Sequence, residues 1–249
     1  MDEAQQLLTK AVETSPSDIE ARRQLAEVLW QTENRQEAAA QMEAAVQLDP
    51  QHAPTAVRSG EMLLAQGAVD SALERAEAAI SIDSTLADAW ALRGRVYRQK
   101  GELEQALADM HQALRYNPHA SDVLTDASEL QFQLGRYQRC LTTIQQVLEA
   151  SPPGHEPRRA LWVAGLAYQQ VNRPQDAMAS LYAATLQGEP HPELFYALAQ
   201  AQRSAGRPDE AAATARQALA ANDQHQPSRE LLAQLQAGGV PGVDVPLRR

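Results

Sequence analysis

The chain is short of cysteine, aromatic rings, positive charge and long apolar runs, and each shortage removes a class of protein. Cys140 is the only cysteine among 249 residues, so no intrachain disulfide can form and the redox compartment stays open. Aromatic residues make up 4% of the chain, so its core must be filled by small and aliphatic side chains. No run of 18 or more apolar residues occurs, which leaves no candidate for a membrane-spanning helix. Lys and Arg number 22 against 32 Asp and Glu, for a net charge of −10. That balance opposes a general affinity for nucleic-acid phosphates or for an anionic membrane surface. Asn-Gly and Asp-Gly turns are missing, as is any sustained alternation of β-branched residues, so nothing points to sheet.

Motifs of chemistry are missing too. There is no glycine-rich phosphate loop ending in lysine, no dinucleotide fingerprint and no nucleophile elbow. His52, His119, His155, His191 and His225 fall in or beside separate loops, and His111 has no His or Cys one turn away. A metal needs three or four converging ligands, so no metal or cofactor is expected. Cys140 has no nearby histidine to make a thiolate and reads as a structural thiol. The start, Met1 to Leu8, lacks the basic and apolar regions of a signal peptide. The compartment is left open.

What the chain does have is alanine, leucine and glutamine, which favour closely packed helices, and a repeat. Residues 87–120 carry Trp90, Gly94, Tyr97, Gly101, Ala106, Met110, Ala113 and Pro118 at positions 4, 8, 11, 15, 20, 24, 27 and 32 of a 34-residue unit. The same phase gives Ala38, Met42, Ala45 and Pro50 in 19–52, and Gly60, Gly67, Ala72 and Ala79 in 53–86. Gly135, Cys140, Ile144, Val147 and Pro152 follow in 121–154. After the insertion His155-Glu156-Pro157 the phase resumes, with Gly165, Tyr168, Ala177, Leu181 and Ala184 in 158–191 and Ala199, Gly206, Ala211 and Ala218 in 192–225.

Small residues at positions 8, 20 and 27 let two helices approach closely, larger ones fill the gaps, and proline stops the second helix. This pattern resembles the tetratricopeptide repeat family, departing within 87–120 mainly at Arg93, where the family has an apolar residue. The resemblance implies an all-α fold, a right-handed superhelical solenoid of antiparallel helix pairs. Residues 1–18 read as a half repeat that supplies only a second helix. That half repeat fits either a natural cap or a chain cut from a longer one. Residues 226–238 read as a capping helix with Leu231, Leu232 and Leu235 on one face, and 239–249 as a disordered tail.

The resemblance also implies a scaffold or adaptor that binds a peptide or partner protein, and not an enzyme. In the family the first helices line the groove through positions 2, 5, 6, 9, 12 and 13. Here those positions select Trp162, Val163, Leu166, Tyr196 and Phe132 as partner-binding residues. Arg95 and Arg98, one turn apart, are candidates to hold a carboxylate. The clamp by which some members hold chaperone C-termini has no matching lysines and asparagines in three consecutive repeats. The alternative to an adaptor is a self-assembling unit that oligomerises through the open N-terminal half repeat.

Overall fold

A computed structural model describes residues 2–237, and all its regular elements are α-helices. The chain divides into two compact units, residues 1–130 and 131–249. In the first unit α1 (Asp2–Thr14) packs on α2 (Ile19–Gln31), and α2 pairs with α3 (Arg35–Leu48). Next come α4 (Ala53–Ala65) with α5 (Val69–Ile82), and α6 (Ala87–Lys100) with α7 (Leu103–Tyr116). The helix α8 (Ser121–Gln133) gives most of its length to this unit and its last three residues to the second. The second unit holds α9 (Tyr137–Ala150), the pair α10 (Arg158–Gln170) and α11 (Pro174–Thr185), and the pair α12 (Pro192–Ser204) and α13 (Pro208–Ala221). It closes with α14 (Gln226–Ala237) against α13. Residue 238 and the expected tail 239–249 lie outside the described residues.

The pairing follows from side-chain size. Ala38, Ala72, Ala106, Cys140, Ala177 and Ala211, one per second helix, are all fully buried. So are Ala45, Ala79, Ala113, Ala184 and Ala218, two turns further on. At position 8 of the pair α10/α11, a Cβ on Gly165 would overlap Leu181, the large residue of the facing helix. Met42, Met110, Ile144 and Leu181 fill the remaining space, each at most 1% exposed. Gly101 ends α6 at φ 80°, a left-handed conformation that costs glycine nothing, and its N–H meets the Arg98 carbonyl.

Arg93, the departure from the apolar pattern, is accommodated by a matched change. Its guanidinium forms two hydrogen bonds to the buried carboxylate of Asp109, at 2.7 and 2.9 Å, and lies 4.8 Å from the Trp90 ring centre. The hydrogen bond to Asp109 raises the Arg93 pKa above its usual value, although burial works against it. An ion pair thus replaces an apolar contact between α6 and α7 without leaving an unpaired buried charge.

The insertion at 155–157 is tied to the rest of its unit. Gln187 Nε2 donates to the Glu156 carbonyl at 2.9 Å, and Arg158 Nη2 donates to the Glu189 carbonyl at 2.7 Å. The helices on either side, α9 and α10, pack together as neighbouring repeats do elsewhere in the chain.

Candidate functional site

Direct contacts between helices one repeat apart are made by first helices: α4 with α6 in the first unit, and α10 with α12 and α12 with α14 in the second. These helices form the inner row of each unit, and the two rows differ in chemistry.

The inner row of the first unit is a ladder of ion pairs. Arg58 on α4 grips Glu27 on α2 through two hydrogen bonds, 2.7 and 2.8 Å, and reaches Glu61 at 2.9 Å. Arg95 on α6 bonds Asp126 at 2.8 Å and Asp122 at 2.7 Å on α8, with Glu61 at 3.8 Å behind it. Arg98 meets Asp126 at 3.0 Å and Glu129 at 3.2 Å. Asp126 is buried, its side chain 2% exposed, and is held by both arginines. For Arg58 the hydrogen bond to Glu27 is the largest influence and raises the pKa. For Arg95 burial is the largest and would lower it, but the attraction of Asp126 and the bonds to Asp126 and Asp122 reverse the sign. The expected role of Arg95 and Arg98, holding a partner's carboxylate, is already taken by carboxylates of the following repeat.

The inner row of the second unit is uncharged over most of its length. Gln169 Nε2 donates to the Ala197 carbonyl at 2.8 Å, and Gln200 Nε2 to the Tyr196 hydroxyl at 2.7 Å. Arg203 reaches Gln234 on α14 at 2.8 Å. Between α10 and α12 lies a cleft of about 220 Å³ lined by Gln169, Gln170, Asn172, Pro174, Gln200, Arg203 and Ser204. Amide side chains offer a donor and an acceptor at once, which suits the backbone of an extended segment.

The selected aromatic and apolar residues divide. Trp162 is half-buried against the cluster of Leu161, Leu181 and Leu194, edge-on to His191 at 4.9 Å, and its Nε1 is buried without an acceptor. Leu166 is half-buried against the same cluster. Tyr196 is half-buried, with its ring 5.7 Å from that of His225. Phe132 is half-buried and tilted against Tyr137 at 5.4 Å. Val163 is 7% exposed and belongs to the core, so it presents no surface to a partner. The reason is geometric: α10 buries a face wide enough to take Val163 with Ala160, Ala164 and Ala167. Sequence reading passed over Gln169, although an amide one turn beyond an inner-row leucine was a usable signal.

The histidines before the first helices have a structural use. His52 Nδ1 accepts from the Thr55 backbone N–H at 3.2 Å and lies 2.7 Å from Thr55 Oγ1, capping α4. His225 repeats the arrangement, with Nδ1 2.8 Å from Ser228 Oγ and Nε2 2.9 Å from Glu193. Ser, His and Glu stand in line here, yet Ser228 is fully buried, so its hydroxyl serves the helix start and cannot meet a substrate. Among the described residues no group of three or more His, Cys, Asp or Glu is placed to hold a metal.

Comparison with known proteins agrees with this architecture. Two family models described as tetratricopeptide repeat match, one over residues 1–57 and 97–161 and the other over 163–227. No curated protein sequence matches the chain. Among solved structures, a chain of the APC/C hetero-tetramer Cut9–Hcn1 superposes with a TM-score of 0.81 at 16% identity. That match covers 94% of this chain but only 45% of that one. PilF of Pseudomonas aeruginosa gives 0.77 at 15% identity, over 87% of this chain and 97% of its own. YrrB, described as a repeat protein with an unusual peptide-binding site, gives 0.63 at 18%, over 76% and 96%. At these identities the likeness is one of fold. The chain belongs to the tetratricopeptide repeat family.

Proposed function

We propose that the protein is an interaction scaffold that takes an extended segment of a partner protein on the α10–α12 face of its second unit. Repeats of this family generally mediate protein–protein interaction. The observation that carries the finer reading is the contrast between the two inner rows. In the first unit the arginines are gripped by neighbouring carboxylates. In the second, amide groups line an open cleft, with Leu166 and Tyr196 half-buried on the same two helices. Gln169 and Gln200, whose Nε2 groups already donate within the unit, offer their amide oxygens to the partner's backbone N–H groups, while Tyr196, Leu166 and the exposed part of Trp162 supply apolar contact. Tyrosine is enriched where binding energy concentrates, because it buries much area for little lost rotamer freedom.

Peptides selected from a random library against the full chain test this. Tyr196→Ala and Gln200→Ala should each weaken the selected binders about tenfold or more, or about 1.4 kcal/mol. Arg115→Ala, on the exposed end of α7, should leave binding unchanged. Equal binding by all three variants overturns the assignment.

Self-association is the second reading, and one observation favours it. Leu7 on α1 is 63% exposed, close in sequence to Gln5, Gln6, Thr9, Lys10 and Glu13, which line a shallow cleft. Sedimentation over a concentration range separates the readings, since α1-mediated assembly raises the mass and Leu7→Glu abolishes the rise.

A further inference from the structure

The charge of the chain is unevenly shared. Residues 1–130 hold 22 Asp and Glu against 11 Lys and Arg, whereas residues 131–249 hold 10 against 11. The first unit therefore carries −11 and the second +1, on a chain whose total is −10.

Within the second unit the arginines fall into a row. Arg136, Arg173 and Arg207 each occupy the residue just before a second helix, at the N-caps of α9, α11 and α13. The same repeat position in the first unit holds Asn34, Ala68 and Glu102. Arg139, exposed in the first turn of α9, adds a fourth cation, and that turn contains no acidic residue. Arg173 and Arg207 pair with Asp176 and Glu210 of their own helices, but both pairs are about half exposed, so an incoming carboxylate can share the guanidinium.

At Arg136 and Arg139 the edge carries a shallow depression. A cleft of about 560 Å³ is lined by Gly135, Arg136, Tyr137, Gln138, Arg139 and Val171, on one side of the α10–α11 turn. The amide cleft described above lies on the other side of the same turn. No acidic side chain lines either one. A solvated turn arginine needs no ligand, but one arginine per repeat along the turns, confined to the unit that lacks the acidic excess, is a binding pattern.

We propose that this turn edge docks an acidic, extended polypeptide segment of a partner, apart from the groove on the α10–α12 face. The row offers one guanidinium per repeat, and an extended chain, advancing about 3.4 Å per residue, can cross several repeats. A segment rich in carboxylates meets one cation in each repeat that it crosses. The bulk charge of the protein predicts the opposite, repulsion of acidic peptides, so the effect is local and short-ranged, within a Debye length of about 10 Å at 0.1 M salt.

The test uses a fluorescent ten-residue peptide with Glu at every third position and Gly or Ser between, and its counterpart with Gln in place of Glu. Anisotropy is read against the full chain at about 0.1 M salt. The Glu peptide should bind saturably and the Gln peptide at least tenfold more weakly. The double variant Arg139→Gln with Arg207→Gln, checked for its helical content, should lose tenfold or more. Arg115→Gln in the first unit and Tyr196→Ala in the groove should bind as the unaltered protein does. Equal binding of the two peptides, or indifference to the edge variant, overturns the proposal. So does a loss confined to Tyr196→Ala, which would move the acidic segment into the groove.

Discussion

Trp162 combines a half-buried ring with a buried Nε1 that has no acceptor. An unmet donor of this kind costs about 1–3 kcal/mol, which the contacts with Leu161, Leu194 and His191 offset. Trp162→Phe keeps an aromatic ring and removes the donor, so its urea midpoint should stay level or rise. A stability loss above about 1.5 kcal/mol would contradict this reading, since that size belongs to large-to-small core substitutions. Gly165 gives the opposite case: an added Cβ runs into Leu181 in a closed interface. Gly165→Ala should cost about 1–3 kcal/mol of stability, the usual range for overpacking, measured by denaturant unfolding. The need for a small residue at Gly165 was legible from the repeat phase. The burial of Val163 was not, because the phase marks which helix is inner but not how wide a stripe each helix buries.

On the scale of helices, the ladder on α2, α4, α6 and α8 links four successive repeats. Its cross-repeat bonds from Arg58 to Glu27, Arg95 to Asp126 and Arg98 to Glu129 each span 31 residues. That number follows from the repeat: position 9 of one first helix stands beside position 6 of the next, and position 12 beside position 9. Arg95 and Arg98 were visible in the sequence as a pair one turn apart, but their partners lie a full repeat away, where local spacing gives no signal. Looking 31 residues along the chain would have found them. Removing Arg95 takes from the buried Asp126 one of the two guanidinium groups that hold it. Arg95→Met should therefore destabilise the first unit by about 3 kcal/mol, the lower range for breaking a buried pair. Hydrogen exchange should show faster opening in α6 and α8, with α12 and α13 unchanged. Unaltered exchange in α6 and α8 would mean that the ladder is decorative. The raised pKa of Arg58 and Arg95 acts in the same direction. A cation whose pKa rises on folding adds stability that is full below its unfolded value and is lost only as pH climbs through the folded one, far above neutrality. Stability between pH 6 and about 10 should therefore be flat with respect to these arginines.

For the whole molecule, fold class was readable because four repeats share one phase and two more resume it after a three-residue insertion, and the core positions are the ones the phase selects. The split in charge was readable too, yet a single net value of −10 conceals it. Only the division at residue 130 gives it meaning, assigning the acidic excess to the unit with the ion-pair ladder. Raised salt should lower the stability of residues 19–130 relative to residues 158–237, because partly exposed pairs are screened and amide contacts are not. Hydrogen exchange at low and high salt reads both at once, and equal shifts in the two would contradict the division of labour.

The central claim is that recognition falls to the amide-lined face of the second unit while the inner row of the first unit is occupied by its own charges. The most direct measurement is a hydrogen-exchange footprint of the full chain with a library-selected peptide bound. The account predicts added protection in α10 and α12, around residues 162–170 and 196–204, and none along α4 and α6. Protection centred on Arg95 and Arg98, with α10 and α12 unaffected, would contradict it.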